Sequence, residues 1–219
     1  MENDKNKWEY NLIYSLEITT KTGLHIGGSN EDLKIGGTDN PVITTRYNIK
    51  EGKYLDLPYI PGSSIKGRMR SLLLSVYDEN DINILFGASA SNKDETDRRP
   101  RMIIRDAYLD KPETYEEDSA TEIKGENTID YLTSMANPRM VERVKPETKF
   151  TGEIIIMKYK NDDENKLKKT LEEGINFVND SYLGGNGTRG YGKVLMKLVF
   201  KEKRDKSHYE GMADGSIPN

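Results

Sequence analysis

The chain has 219 residues, no cysteine, 34% hydrophobic and 32% charged residues, and a formal net charge of -4. That length fits one domain carrying insertions; the missing cysteine excludes disulfides and thiolate metal sites, and no run of about 18 apolar residues offers a membrane span. The polar opening MENDKNKWEY has no apolar leader, so the sequence reads as a cytoplasmic protein.

Residues 1–9 are polar and aperiodic and predict a flexible N-terminus. Residues 10–20 alternate and are β-rich, which predicts a strand. Residues 21–60 are turn-rich and read as an insertion, with short strands predicted near 42–46 and 53–60. In PGSSIKGRMRSLLLSVY, the residues Ile65, Met69, Leu72, Leu73 and Val76 recur at helical spacing, and Ser63 or Ser64 can cap the start. Residues 101–109 read as a strand, 110–147 as a polar insertion, and 150–159 as a strand with an apolar centre. Leu167, Leu171, Ile175 and Val178 mark a second helix. A glycine-rich loop leads to a last strand over 193–201, and residues 203–219 read as a flexible C-terminal tail. Without the insertions the order is β-α-β-β-α-β. That predicts an α+β fold of the ferredoxin-like or RRM-like kind, one domain over 10–202 with an antiparallel sheet and two helices on one face.

Charge is unevenly spread. Lys66, Arg68 and Arg70 occur with no acid between residues 60 and 70, and Arg189, Lys193 and Lys197 with none between 184 and 197. The acids collect near 78–81, 110–118 and 162–164. Solvated charge is one reading of such runs; a confined anion-binding face on an acidic body is the other.

Residues 183–194 read LGGNGTRGYGKV. Gly185, Gly187 and Gly190 match the spacing G-x-G-x-x-G, and Gly187 to Lys193 matches G-x-x-x-x-G-K. A dinucleotide or P-loop site needs a strand before the glycines and a helix after them. Here the predicted order is reversed, and Val194 stands where a Mg²⁺-holding Ser or Thr belongs, so both nucleotide readings fail. What remains is a connection whose backbone N–H groups can approach an anion, with Arg189 able to pair with phosphate and Tyr191 able to stack on a base. In the basic helix start, free N–H groups and Ser63, Ser64, Lys66, Arg68 and Arg70 predict a second anion contact. The stretch GLHIGGSNEDLKIGGTDNPVI adds His25 and Asp39. Beside Asn40-Pro41, Asp39 suits a turn as well as it suits a site.

GLHIGG, IGGTDNPV, LPYIPGSSIKGRMR, IRDAY, TEIKGENTID, ANPRMVERV and GGNGTRGYGKV occur in that order. Together they resemble the repeated backbone subunit of type III-A (Csm-type) CRISPR effector complexes, within the RAMP superfamily, over most of residues 10–200. The resemblance implies a ferredoxin-like palm with a lid and a thumb-like β-hairpin from the 110–147 insertion. It implies copies stacked in a helical filament along a guide RNA, with other effector subunits, and a paired target RNA cut once per subunit. It assigns a metal-dependent endoribonuclease activity to Asp39, as catalytic residue and as ligand of a divalent cation, Mg²⁺ or Mn²⁺. It places His25, Ser63, Ser64, Lys66, Arg68, Arg70, Lys124, Asn127, Arg139, Arg143, Gly185, Gly187, Arg189 and Tyr191 along the RNA path. Asp106 and Glu126 are further carboxylates to weigh for cleavage. The alternative is a non-catalytic guide-binding scaffold; a small-molecule phosphate enzyme is the reading from outside nucleic-acid biology.

Overall fold

The computed structural model describes residues 7–28, 40–88, 99–116, 119–129, 132 and 134–212. In chain order the elements are β1 (Trp8–Thr20), β2 (Thr44–Lys50), β3 (Lys53–Pro58), α1 (Gly62–Leu73), α2 (Glu79–Phe86), β4 (Met102–Ile104), β5 (Tyr108–Leu109), β6 (Thr121–Ile129), β7 (Ala136–Val144), β8 (Lys149–Tyr159), α3 (Glu164–Asp180), β9 (Val194–Asp205) and α4 (Lys206–Met212).

The fold is α+β. The main sheet has the order β4-β8-β1-β9, with β5 also pairing β8, and every pair is antiparallel. Residues directly opposite in an antiparallel pair share a face. Leu12 pairs with Ile156, Tyr14 with Ile154 and Ile18 with Phe150, which builds one apolar face across β1 and β8. Ile65, Met69 and Leu73 of α1 and Leu167, Leu171, Ile175 and Val178 of α3 are buried in the same core. Gly174 permits the close crossing of these helices: a Cβ there would meet Met69 Cε at 2.7 Å. Two hairpins, β2–β3 and β6–β7, stand outside the main sheet.

Several expectations need correction. Asp78 precedes a helix α2 that no periodicity marked; its buried residues Ile82, Leu85 and Phe86 fill the space beside α1 and α3. The strand expected over 101–109 breaks in two, because Arg105 N–H still bonds Glu153 of β8 while Ala107 turns to exchange both backbone bonds with Ile60. Capping of α1 by Ser63 or Ser64 does not occur; Pro61 occupies the cap position and no side chain caps from there. Residues 8 and 9 belong to β1, and 203–212 belong to β9 and α4 rather than to loose tails. Asp205 pairs with Tyr10, its carboxylate accepts from Ser207 N–H at 3.0 Å and His208 N–H at 3.2 Å, and Tyr209 packs on Trp8. Residues 1–6 and 213–219 lie outside the described residues.

Candidate nucleic-acid interface

The start of α1 is less free than its sequence implies. Residues 62–70 of α1 contain no acid, but the bend between β4 and β5 delivers one: Asp106 Oδ1 accepts the Gly62 N–H at 2.8 Å. A carboxylate at a helix N-terminus satisfies an orphan donor and the helix dipole together. Asp106 is therefore a capping group. Two of the three cations are also engaged within the fold. Arg68 donates from Nε to Tyr182 O at 2.9 Å and from NH2 to Ser181 Oγ at 2.6 Å, with its guanidinium 3.8 Å from the Tyr182 ring centre. Arg70 donates to Asn83 Oδ1 at 2.7 Å and Gly87 O at 3.2 Å. Lys66 pairs with no carboxylate among the described residues. Partial burial, then the nearby Arg70, holds its ammonium pKa below the usual lysine value. Ser63 is exposed and Ser64 half-buried beside it.

The glycine-rich connection between α3 and β9 packs on the loop after β1. Gly185 N–H bonds His25 O at 2.8 Å, Gly192 N–H bonds Gly23 O at 2.9 Å, and Leu183 N–H bonds Gly192 O at 2.8 Å. Gly184 and Gly192 have φ of +75° and +71°, and a Cβ on either would fall far inside contact with the His25 or Leu183 carbonyl. Gly187 opens a 3-10 turn (Gly187–Arg189) and lies flat against the Tyr182 ring. The ring under Arg68 is thus also the floor of the glycine turn.

The β6–β7 hairpin supplies the next layer. By register, Glu122 faces Arg143, Lys124 faces Val141 and Glu126 faces Arg139 on one side; Asn127 faces Pro138 on the other, with Ile123 and Met140 nearby. Glu122 binds Arg143 Nε at 2.7 Å, and Glu126 binds Lys124 at 3.1 Å and Arg189 at 3.2 Å. Tyr191 is 1% exposed, with Lys124 Nζ 4.5 Å and Arg143 Cζ 5.0 Å from its ring centre. The expectation that Tyr191 stacks on a base is corrected, because its faces already carry two cations and protein. Its hydroxyl is directed at Glu126 and Arg143 without a well-aligned hydrogen bond, and burial first, then Glu126, pushes its pKa up to about 12. The adjacent Tyr191 hydroxyl, then Lys124, holds the Glu126 carboxyl below its ordinary range.

His25 joins these parts to β7. Its Nδ1 lies 2.6 Å from Glu142 O, and the Glu142 carboxylate accepts Val42 N–H at 2.9 Å while Glu142 N–H bonds Asn40 O at 3.2 Å. Asp39 lies outside the described residues. So the contacts run from α1 through Tyr182, the glycine turn and His25 to the hairpin. They bring Lys66, Arg68, His25, Gly185, Gly187, Arg189, Lys124, Arg139 and Arg143 onto connected elements, while Asn127 points from the far side of the hairpin. Sequence reasoning missed the roles of Asp106, Tyr182 and Glu142, since each acts through a partner distant in the chain.

Among the described residues no three acidic or histidine side chains converge as a metal site. The carboxylates of Asp106, Glu126 and Glu142 are each spent on the N–H or cation partners given above. No described helix is long and apolar enough to cross a membrane.

Comparison with known proteins identifies the class. Residues 17–195 match the RAMP superfamily. The chain is 39% identical over 237 residues to the "CRISPR system Cms endoribonuclease Csm3" of Methanothermobacter thermautotrophicus, covering 96% of this chain and 93% of that one. It is 40% identical over 203 residues to the protein of that name from Streptococcus thermophilus, covering 86% and 88%. A solved Csm3-Csm4 subcomplex of the type III-A CRISPR-Cas interference complex superposes with a TM-score of 0.55 at 28% identity, covering 95% of this chain and 87% of that one. A type III-B Cmr-beta complex bound to cognate target RNA shares the fold, with a TM-score of 0.62 at 22% identity over 90% of this chain and 61% of the other. The chain belongs to the RAMP superfamily and, within it, to the Csm3 family.

Proposed function

We propose that this chain is the repeated backbone subunit of a type III-A CRISPR interference complex, that it grips a guide RNA, and that it cleaves the paired target RNA. The observation that carries the reading is the continuous path of cationic and glycine-bearing elements from α1 through the glycine turn to the β6–β7 hairpin, in a chain about 40% identical to named Csm3 endoribonucleases. The main sheet with α1 and α3 is the ferredoxin-like palm, and the β6–β7 hairpin is the thumb. Lys66, Arg139 and Arg189, with Ser63, Ser64 and the Gly185–Gly187 backbone, bind phosphates and fix register. Arg68, Arg70, Arg143 and Tyr191 act by holding those elements in place. Other copies of the chain continue the surface along the guide.

In the cleavage step, the target's 2′-oxygen attacks the adjacent phosphorus and the bond to the 5′-oxygen breaks. The 2′-hydroxyl loses its proton and the 5′-oxygen gains one, leaving a cyclic phosphate and a 5′-hydroxyl. The protein's part is to hold the phosphate in line and to balance the growing charge. Asp39 is the proposed catalytic carboxylate and the ligand of a divalent cation, Mg²⁺ or Mn²⁺. One carboxylate suits a cation that keeps most of its waters. Such a cation supplies charge neutralisation at the phosphate. The next residue, Asn40, is fastened to β7 through Glu142 N–H and a bridge to Val141.

The test uses assembled complexes with wild type or Asp39→Ala, a guide and a complementary target, with and without chelator. The expected result is cleavage at regular spacing by wild type, its loss on chelation, and binding without cleavage by Asp39→Ala. Cleavage by Asp39→Ala at the wild-type rate would overturn the assignment. Binding without cleavage by wild type in any divalent cation would favour the scaffold alternative.

A further inference from the structure

One carboxylate stands among three cations that line the proposed RNA path. Glu126 Oε1 lies 3.1 Å from Lys124 Nζ and Oε2 lies 3.2 Å from Arg189 NH1. Arg139 is its cross-strand partner on the same hairpin face. Lys124 and Glu126 come from β6, whereas Arg189 comes from the glycine turn, 63 residues away in sequence. Two oxygens, each held by a different cation, reproduce how a backbone phosphate is gripped by Arg and Lys. The Glu126 side chain is 15% exposed and that of Arg189 60% exposed, so the carboxylate is recessed while the arginine can swing outward. The seat is firm: the buried Tyr191 ring underlies Lys124, and Gly184 and Gly192 fix the connection that carries Arg189.

We propose that Glu126 occupies a phosphate position in the RNA-free chain, neutralising Lys124 and Arg189 until an RNA phosphate displaces it. The proposal rests on the reading of this chain as an RNA-gripping subunit. The exchange keeps thumb and glycine turn aligned before RNA arrives. It also weakens binding of stray polyanions, because any anion must first compete with an internal one of correct geometry. A guide threaded through many copies meets that cost with contacts along its whole length.

The full chain is tested with single-stranded RNA at several salt concentrations. Glu126→Gln keeps the shape and removes the charge; Glu126→Asp keeps the charge and shortens its reach. At about 0.1 M salt, Glu126→Gln is expected to bind roughly five- to tenfold tighter than wild type, with the slope against salt unchanged because the same phosphates are neutralised. Glu126→Asp should fall between them. Glu172→Gln, on the exposed side of α3, should match wild type. In an Arg189→Ala background the gain from Glu126→Gln should shrink to less than about twofold, since coupled residues are not additive. Equal affinity of Glu126→Gln and wild type overturns the proposal, and so does a gain that survives undiminished in Arg189→Ala. A wild-type chain with no salt-dependent RNA affinity would instead overturn the RNA-gripping reading itself.

Discussion

His25 Nδ1 lies 2.6 Å from the backbone carbonyl of Glu142. A carbonyl only accepts, so this ring nitrogen carries the proton and donates. The ring thereby pins the loop after β1 to β7, while its own carbonyl receives Gly185 N–H from the glycine turn. A histidine in this position joins three elements, which is why its value lies in placement. His25→Ala should cost about 1 kcal/mol of folding stability for the lost hydrogen bond. It should weaken RNA binding by more than that loss of folded fraction explains. Urea unfolding and RNA titration, made on the same preparations, check both.

Asp106 gives a cleaner separation of structure from chemistry. Its carboxylate caps α1 through Gly62 N–H. Asp106→Ala should destabilise the fold by about 0.5–2 kcal/mol, the usual cost of a lost helix cap. Target cleavage by assembled complexes at a temperature well below unfolding should persist. Loss of cleavage with unchanged stability would assign Asp106 a chemical role instead.

Gly192 tests the glycine turn. Its φ of +71° and the closeness of the Leu183 carbonyl leave no room for a Cβ. Gly192→Ala should cost roughly 2 kcal/mol or more, from left-handed backbone and a steric clash together. Gly190, also at positive φ but with open space around it, should cost less when changed to Ala. Equal denaturant midpoints for the two variants would show that space at Gly192 does not matter.

Arg101 and Asp162 form a nearly buried pair, 8% and 11% exposed, at 2.8 Å, with the Arg101 guanidinium 4.2 Å from the Tyr159 ring centre. Asp162 also accepts Tyr159 N–H at 3.0 Å. Asp162→Ala removes this carboxylate from the guanidinium and the acceptor from Tyr159 N–H, so it should destabilise by about 1–3 kcal/mol, read as a shift in the urea midpoint, with RNA affinity unchanged at temperatures where the variant is folded.

Acid should loosen the fold through Glu164. Lys168 first, then the Tyr10 hydroxyl, holds its carboxyl below the usual 4.5. A carboxylate with a depressed native pKa stabilises the fold above its unfolded value, and loses that contribution as pH falls through the native one. Stability of the wild type should thus decline from just above pH 4.5 downward. Glu164→Gln should be less stable at neutral pH and show a shallower decline, measured by urea unfolding at successive pH values.

Both main helices, the β-rich strands on either side and the motif order that marks the family are legible in the sequence, although Val76, which continues the apolar spacing of the first helix, lies beyond the end of α1 and is exposed. Those signals are local, because periodicity and turn chemistry are written in neighbouring residues. The sequence also determined which residue types were available to grip an anion. Which of them are free to do so depends on partners that the fold brings in from elsewhere in the chain. Arg68 and Arg70 read as exposed cations but bond to Tyr182, Ser181, Asn83 and Gly87; Tyr191 reads as a stacking ring but is covered by Lys124 and Arg143. The helix start of α1 reads as an empty anion site, yet Asp106 arrives there from 44 residues away. Partners so distant leave no pattern in a window of sequence; they meet because the antiparallel register sets the end of β1 beside the starts of β8 and β9, which gathers the loop after β1, the hairpin before β8 and the glycine turn before β9 at one end of the sheet, where each buried donor or charge must find a counterpart.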